Sequence, residues 1–172
     1  MPASYIAGVA PYAWEQHVDG RGSWQRVWDP ARLPTTQKDL VAEQISISTN
    51  PNTGTLRGMH YLEEQAQEWK SVVCLQGSVQ DVVVDMRQES QTFRSHQSFH
   101  LEGQSNDGVL IPPGCAHGFL TLEPKTILLY IMSAPYDSSL ERALRWDDPT
   151  LGIAWDLEPK VISDRDQSHS LL

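Results

Sequence analysis

A chain of 172 residues with 40% hydrophobic residues is long enough for one domain with a core of its own, spanning residues 1–172; a domain of this size buries roughly 70% of its unfolded surface. Its 22 acidic against 13 basic residues give a formal net charge of -9 without a basic run. This excludes nucleic acid and an anionic membrane as partners and leaves any anionic ligand to local arginines and lysines. No stretch approaches the ~20 apolar residues of a membrane helix, and the segment Met1-Pro2-Ala3-Ser4-Tyr5-Ile6 lacks a signal peptide's basic and long apolar regions. With only Cys74 and Cys115 and no disulfide framework, a soluble, cytoplasmic protein is expected.

In chain order, the tail over 2–13 carries little pattern. Strand-like runs follow at 45–48, 70–75, 79–85, 98–101, 108–111 and 126–132, with β-branched and apolar residues between turn signals and almost no helical periodicity. Gln76-Gly77 predicts a tight hairpin, and residues 103–108 and 123–125 further reversals. The tail over 158–172 is again weakly patterned and, like the first, is expected to wrap the barrel or a partner subunit. Short strands at this spacing predict an all-β sandwich or barrel without internal repeats.

Two segments carry candidate chemistry: Gly54-Thr-Leu-Arg-Gly-Met-His60-Tyr61 and Ile111-Pro-Pro-Gly-Cys-Ala-His117-Gly-Phe-Leu120. Each sets a histidine, the first also Arg57, among glycines and prolines that let a backbone bend tightly around a small ligand. Asp81 and Asp85 point to one face of their strand; Asp81 either braces His117 or joins a structural network such as Asp85 with Arg87. Taken alone, Tyr130 reads as a core aromatic. His17, His96, His100 and His169 read as ordinary structural or surface histidines, and the tryptophans as core or rim anchors, with Trp69 alone placed to reach a ligand.

On these residues the chain resembles the dTDP-4-dehydrorhamnose 3,5-epimerase family. The similar segments run from Asp19-Gly-Arg21-Gly22 through Leu-Arg57-Gly-Met-His60-Tyr, Lys70, Gly77-Ser-Val-Gln-Asp81-Val-Val-Val-Asp85-Met-Arg87, the His117 segment, Tyr130 and Tyr136 to Glu141-Arg142 and Ser163-Asp-Arg-Asp166. The resemblance implies a cupin-type jelly-roll barrel with short peripheral helices, acting as a homodimer on a nucleoside-diphosphate 4-keto-6-deoxyhexose without cofactor or metal. It implies His60 as base oriented by Asp166, Tyr130 as acid, and Lys70 and His117 at the enolate oxygen. For the nucleotide end it implies Arg21 and Arg57 on the diphosphate, Tyr136 against the base, and Glu141 and Arg165 at the ligand. Dimers of this family exchange strands, so a second chain is expected to complete the nucleotide pocket.

The chain departs from the family pattern at Arg26, Ser46, Trp69 and Arg165, which leaves open whether C3, C5 or both are inverted. Two rivals stand beside this reading. A metal-dependent cupin would use at most His60, Glu64 and His117, because Gly58 stands where the familiar His-x-His motif has its first histidine. A non-catalytic sugar-nucleotide-binding cupin would lack one of the base, its aspartate or the acid, and all three are present.

Overall fold

Short apolar runs broken by glycine and proline leave no helical stripe and favour strands that bury one face. The computed structural model describes residues 5–37 and 39–172, so Met1–Ser4 of the N-terminal tail and Lys38 lie outside the description. Twelve strands form among the described residues: β1 (Ala10–Ala13), β2 (Glu15–Asp19), β3 (Gly22–Arg26), β4 (Gln44–Asn50), β5 (Leu56–Leu62), β6 (Lys70–Gln76), β7 (Ser78–Asp85), β8 (His96–Glu102), β9 (Asp107–Ile111), β10 (Cys115–Thr121), β11 (Thr126–Met132) and β12 (Glu141–Ala143). One short helix, α1 (Asp164–Ser168), follows, and one 3-10 turn spans Glu64–Ala66. Among the described residues no helix is long and apolar enough to cross a membrane.

The strands build two antiparallel sheets, ordered β1-β9-β6-β11-β4 and β12-β5-β10-β7-β8, with β2 and β3 a separate hairpin. Between the sheets Val72, Val79, Val83, Val109, Phe119 and Leu128 form one buried cluster. This is the expected jelly roll. One expectation is corrected: Gln76-Gly77 is not the tip of a hairpin, because β6 and β7 lie in different sheets. The connections from β8 to β9 and from β10 to β11 make the same kind of corner. Turn residues encode a reversal, but a jelly roll uses it to carry the chain from one layer to the facing one.

Both tails are used. Ala10–Ala13 extends the first sheet by pairing with β9, and near the C-terminus Val161 accepts a hydrogen bond from Leu56 N–H at 2.9 Å, laying the last segment along β5.

The contact of β5 with β10 decides what the barrel presents at its open end. His60 lies opposite His117 and Arg57 opposite Phe119, so β5 advances three residues where β10 advances two. The extra residue is a β-bulge, and it reverses the alternation that would send Arg57 and His60 to opposite faces. Gly58 sits in the bulge at φ 126, where an added Cβ would lie 2.5 Å from Gly118 Cα and 2.9 Å from the His117 carbonyl oxygen. Gly58→Ala is therefore expected to destabilise the fold by about 2–4 kcal/mol and to displace His60. Urea unfolding checks this; a loss under about 0.5 kcal/mol would show that the bulge tolerates a side chain.

Candidate active site

At one end the sheets part into a cleft of about 300 Å³, lined by Ser46, Ile47, Ser48, Arg57, His60, Lys70, His117, Tyr130 and Asp166. A second hollow of about 180 Å³ shares His60, Lys70 and Tyr130 and adds Gln44, Glu68, Met132, Tyr136 and Glu141. Opposite walls come from opposite sheets. β5 and β10 carry His60 and His117, whereas β6 carries Lys70 and β11 carries Tyr130, which is paired with Ser46 of β4 and Val72 of β6.

His60 is held by the C-terminal segment. Its Nε2–H donates to Asp166 Oδ1 at 2.8 Å, and Asp166 Oδ2 accepts the Gly58 N–H at 3.3 Å. Ser163 caps α1 by accepting the Asp166 N–H at 3.1 Å, which fixes where that carboxylate points. Burial alone would raise the Asp166 pKa, but the hydrogen bonds from His60, Gly58 and Ser163 outweigh it and hold the carboxyl below its usual range. An ionised Asp166 fixes the tautomer and leaves Nδ1 as the basic nitrogen of His60.

His117 is anchored in the same way, with Nε2–H donating to Asp81 Oδ2 at 2.7 Å. Asp81 is fully buried, and its second oxygen has no partner. Asp81 thus braces His117 and takes no part in the structural network, which belongs to Asp85, bound by Arg87 at 2.8 Å, Ser90 and Thr92. Burial works against the charge on Asp85, yet these donors lower its pKa to about 2. It is a structural acid.

Tyr130 stands edge-on to His117, with ring centroids 6.0 Å apart. Burial pushes its phenol above the ordinary value, Asp81 adds to this and Arg57 opposes it, so the hydroxyl keeps its proton at neutral pH. No described residue hydrogen-bonds that hydroxyl. The Lys70 ammonium lies 3.4 Å from Glu68, and Arg57 Nε donates to Asn50 Oδ1 at 3.0 Å.

The outer rim is a linked set. Tyr136, 56% exposed, donates its hydroxyl to Glu141 at 2.6 Å, and Arg165 pairs with the same carboxylate oxygen at 2.8 Å. Burial of Glu141 is outweighed by these two partners, and its pKa falls.

Some of the expected residues lie elsewhere. Arg21 is exposed on the β2–β3 hairpin, tied to Asp19 by Nε at 3.1 Å, and lines a separate hollow of about 430 Å³ with His17 and Trp24. Trp69 does not line the cleft; next to Lys70 on the chain, it packs against the Leu33, Leu40 and Leu110 cluster. Arg26 pairs with Glu15 and Asp29, away from the cleft. Glu64 faces another hollow with Arg87 and Glu89, so the His60, Glu64 and His117 set is not assembled. Cys74 and Cys115 are buried, and burial raises their thiols to about 11 and about 12.

Sequence reasoning missed two residues. Glu68 lies two residues before Lys70, a same-face spacing that was available as a signal. His169 reads as an ordinary histidine in the sequence, yet its ring stands 6.4 Å from that of His60. Nothing in its polar tail marks it out. The ligating atoms of His60, Asp166 and His169 lie within 4.8 Å of one another, which makes these the described residues able to hold a metal ion.

Comparison with known proteins gives the family. A family model described as dTDP-4-dehydrorhamnose 3,5-epimerase matches residues 3–172. A dTDP-4-dehydrorhamnose 3,5-epimerase of Sinorhizobium fredii is 34% identical, over 90% of this chain and 80% of its own. A dTDP-4-dehydro-6-deoxyglucose 3-epimerase of Streptomyces bikiniensis is 36% identical, over 91% of this chain and 82% of its own. Among solved structures, a 4-keto-6-deoxy sugar epimerase from the novobiocin cluster of Streptomyces spheroides superimposes with a TM-score of 0.89 at 31% identity, covering 96% of this chain and 83% of the other.

Proposed function

Since the chain belongs to the dTDP-4-dehydrorhamnose 3,5-epimerase family, we propose that it inverts C3, C5 or both in a dTDP-4-dehydro-6-deoxyhexose of deoxysugar biosynthesis. It is an isomerase, as its relatives are. The observation that carries the proposed mechanism is the placement of His60 and Tyr130 on opposite walls of one cleft.

A carbon next to a ketone holds a weakly acidic proton, so inversion needs a base on one face, a positive or donor group at the oxygen, and an acid on the other face. His60 Nδ1 takes the proton while Asp166 stabilises the imidazolium that forms. Lys70 holds the enolate oxygen beside His117, at a spot sheltered enough for charge to count. Tyr130, still protonated, returns a proton from across the cleft. The intact base, aspartate and phenol favour turnover over a binding-only role.

Arg57 serves the diphosphate, and Tyr136 offers a flat face to the base while Glu141 and Arg165 set its angle. Arg21 lines a hollow separate from its own chain's cleft, so we assign it to the cleft of a second copy in a homodimer. Val18 and Trp24, 73% and 51% exposed on the same hairpin, and Ile45 and Ile47, 61% and 64% exposed on edge strand β4, support such an interface. Of the departures from the family pattern, Ser46 and Arg165 are the ones at the cleft and its rim, where they bear on which carbon is inverted. The reading is tested by incubation with dTDP-4-dehydro-6-deoxyglucose, chemical reduction of the ketone, and NMR coupling constants around the ring. Inverted couplings at C3, at C5 or at both are expected. Unchanged couplings with the nucleotide bound would move the protein to another substrate.

A further inference from the structure

The mechanism uses His60 and Asp166 and leaves His169 unexplained. His169 caps the C-terminal end of α1, and its ring stands edge-on to His60 at 83°. Its Nε2 is shut off from solvent and lacks a hydrogen-bond partner, although a carboxylate and a second imidazole lie beside it. A buried nitrogen left unmatched in such a place needs a reason.

Two imidazoles and a carboxylate are the donor set that binds Zn2+ and neighbouring transition metals. At bond lengths of about 2.0–2.2 Å, ligand atoms of a tetrahedral site stand about 3.4 Å apart. The His60 Nε2 to Asp166 Oδ1 separation of 2.8 Å has to open only slightly to reach this. His169 follows a five-residue helix near the C-terminus, so it can close on an ion without disturbing either sheet.

We propose that His60, Asp166 and His169 form an inhibitory site for a divalent transition metal, best matched to Zn2+. A bound ion takes His60 Nε2 in place of the proton there, which moves to Nδ1, and draws the Asp166 carboxylate out of the hydrogen bond, so that Nδ1 is occupied and the base loses the partner that orients it and stabilises its charge. The fourth position is left to water. Binding stands on the three side chains alone, whereas inhibition rests on His60 being the base, as proposed above.

Zinc chloride titrated by calorimetry into the untagged full chain, with turnover followed on the same samples, tests both parts. One Zn2+ per chain is expected, with turnover falling in step with occupancy and restored by a chelator. His169→Gln and His169→Ala are each expected to weaken binding at least about tenfold, the smallest cost of losing even an outer partner of a metal site. They shift the inhibiting zinc concentration by the same factor. Cobalt absorption, with the visible bands of a tetrahedral ion in the wild type and none in either variant, separates this site from the surface pairs His17–Glu15 and His100–Asp156. No saturable binding to the wild type, or equal affinity in both His169 variants, overturns the site. Binding that needs His169 but leaves wild-type turnover untouched overturns the inhibition and counts against His60 as base.

Discussion

Replacing His60 by asparagine is expected to lower turnover at least ~100-fold, the scale of a lost general base, while folding and nucleotide binding persist. Asparagine keeps a polar side chain toward Asp166 but has no nitrogen that takes a proton. Because the substrate's α-proton is the barrier, the loss falls on kcat rather than on KM. His60 is one-third exposed and makes one side-chain hydrogen bond, so the substitution leaves no large cavity. Steady-state kinetics with a dTDP titration by calorimetry separates the two effects. Turnover near that of the wild type would assign proton removal to another group.

Tyr130→Phe is expected to produce a different defect of comparable size, with inversion falling ~100-fold or more. Removing a hydroxyl with no protein partner costs little stability. The base on the other wall remains, so His60 still removes the α-proton and returns one to the same face. The variant should therefore exchange the α-proton with solvent faster than it inverts the carbon, whereas in the wild type the two keep pace. Deuterium uptake measured beside product configuration gives the ratio. Equal loss of exchange and inversion would mean that Tyr130 is needed for proton removal and would contradict its role as acid alone.

The strands were largely legible as local patterns. Residues 70–75, 79–85 and 126–132 read as strands from their β-branched runs and form β6, β7 and β11. What Gly77 joins was not legible, because a glycine marks where a chain reverses and only tertiary packing decides whether it returns to the same sheet or crosses to the facing one. Gly58 inside a strand pattern is a recognised sign of a bulge, and the bulge explains how Arg57 and His60, three residues apart, share one cleft. The pairing of His60 with Asp166 spans 106 residues, and no periodicity reveals it; only the resemblance to the epimerases placed the aspartate there. His169 lay beyond both sources, since it stands in a polar tail and outside the motifs that carry the resemblance.

The cleft is also built economically in charge. Each histidine has its own buried aspartate, one from the neighbouring strand and one from the C-terminal helix, so the imidazoles are oriented independently of the ligand. Cations line the cleft despite a chain that is strongly acidic as a whole: Arg57 and Lys70 are each fixed by a single polar neighbour at its wall. On the mechanism proposed above, such preorganisation serves removal of a weakly acidic proton without reorganising water in the transition state.

The most direct measurement is deuterium incorporation from deuterated water into dTDP-4-dehydro-6-deoxyglucose, followed at C3 and C5 by NMR and mass spectrometry for the wild type and His60→Asn. Uptake at one or both carbons with inverted configuration in the wild type, and at neither in the variant, is the predicted result. Uptake that persists unchanged in the variant would contradict abstraction by His60, and none in the wild type with the nucleotide bound would contradict this substrate.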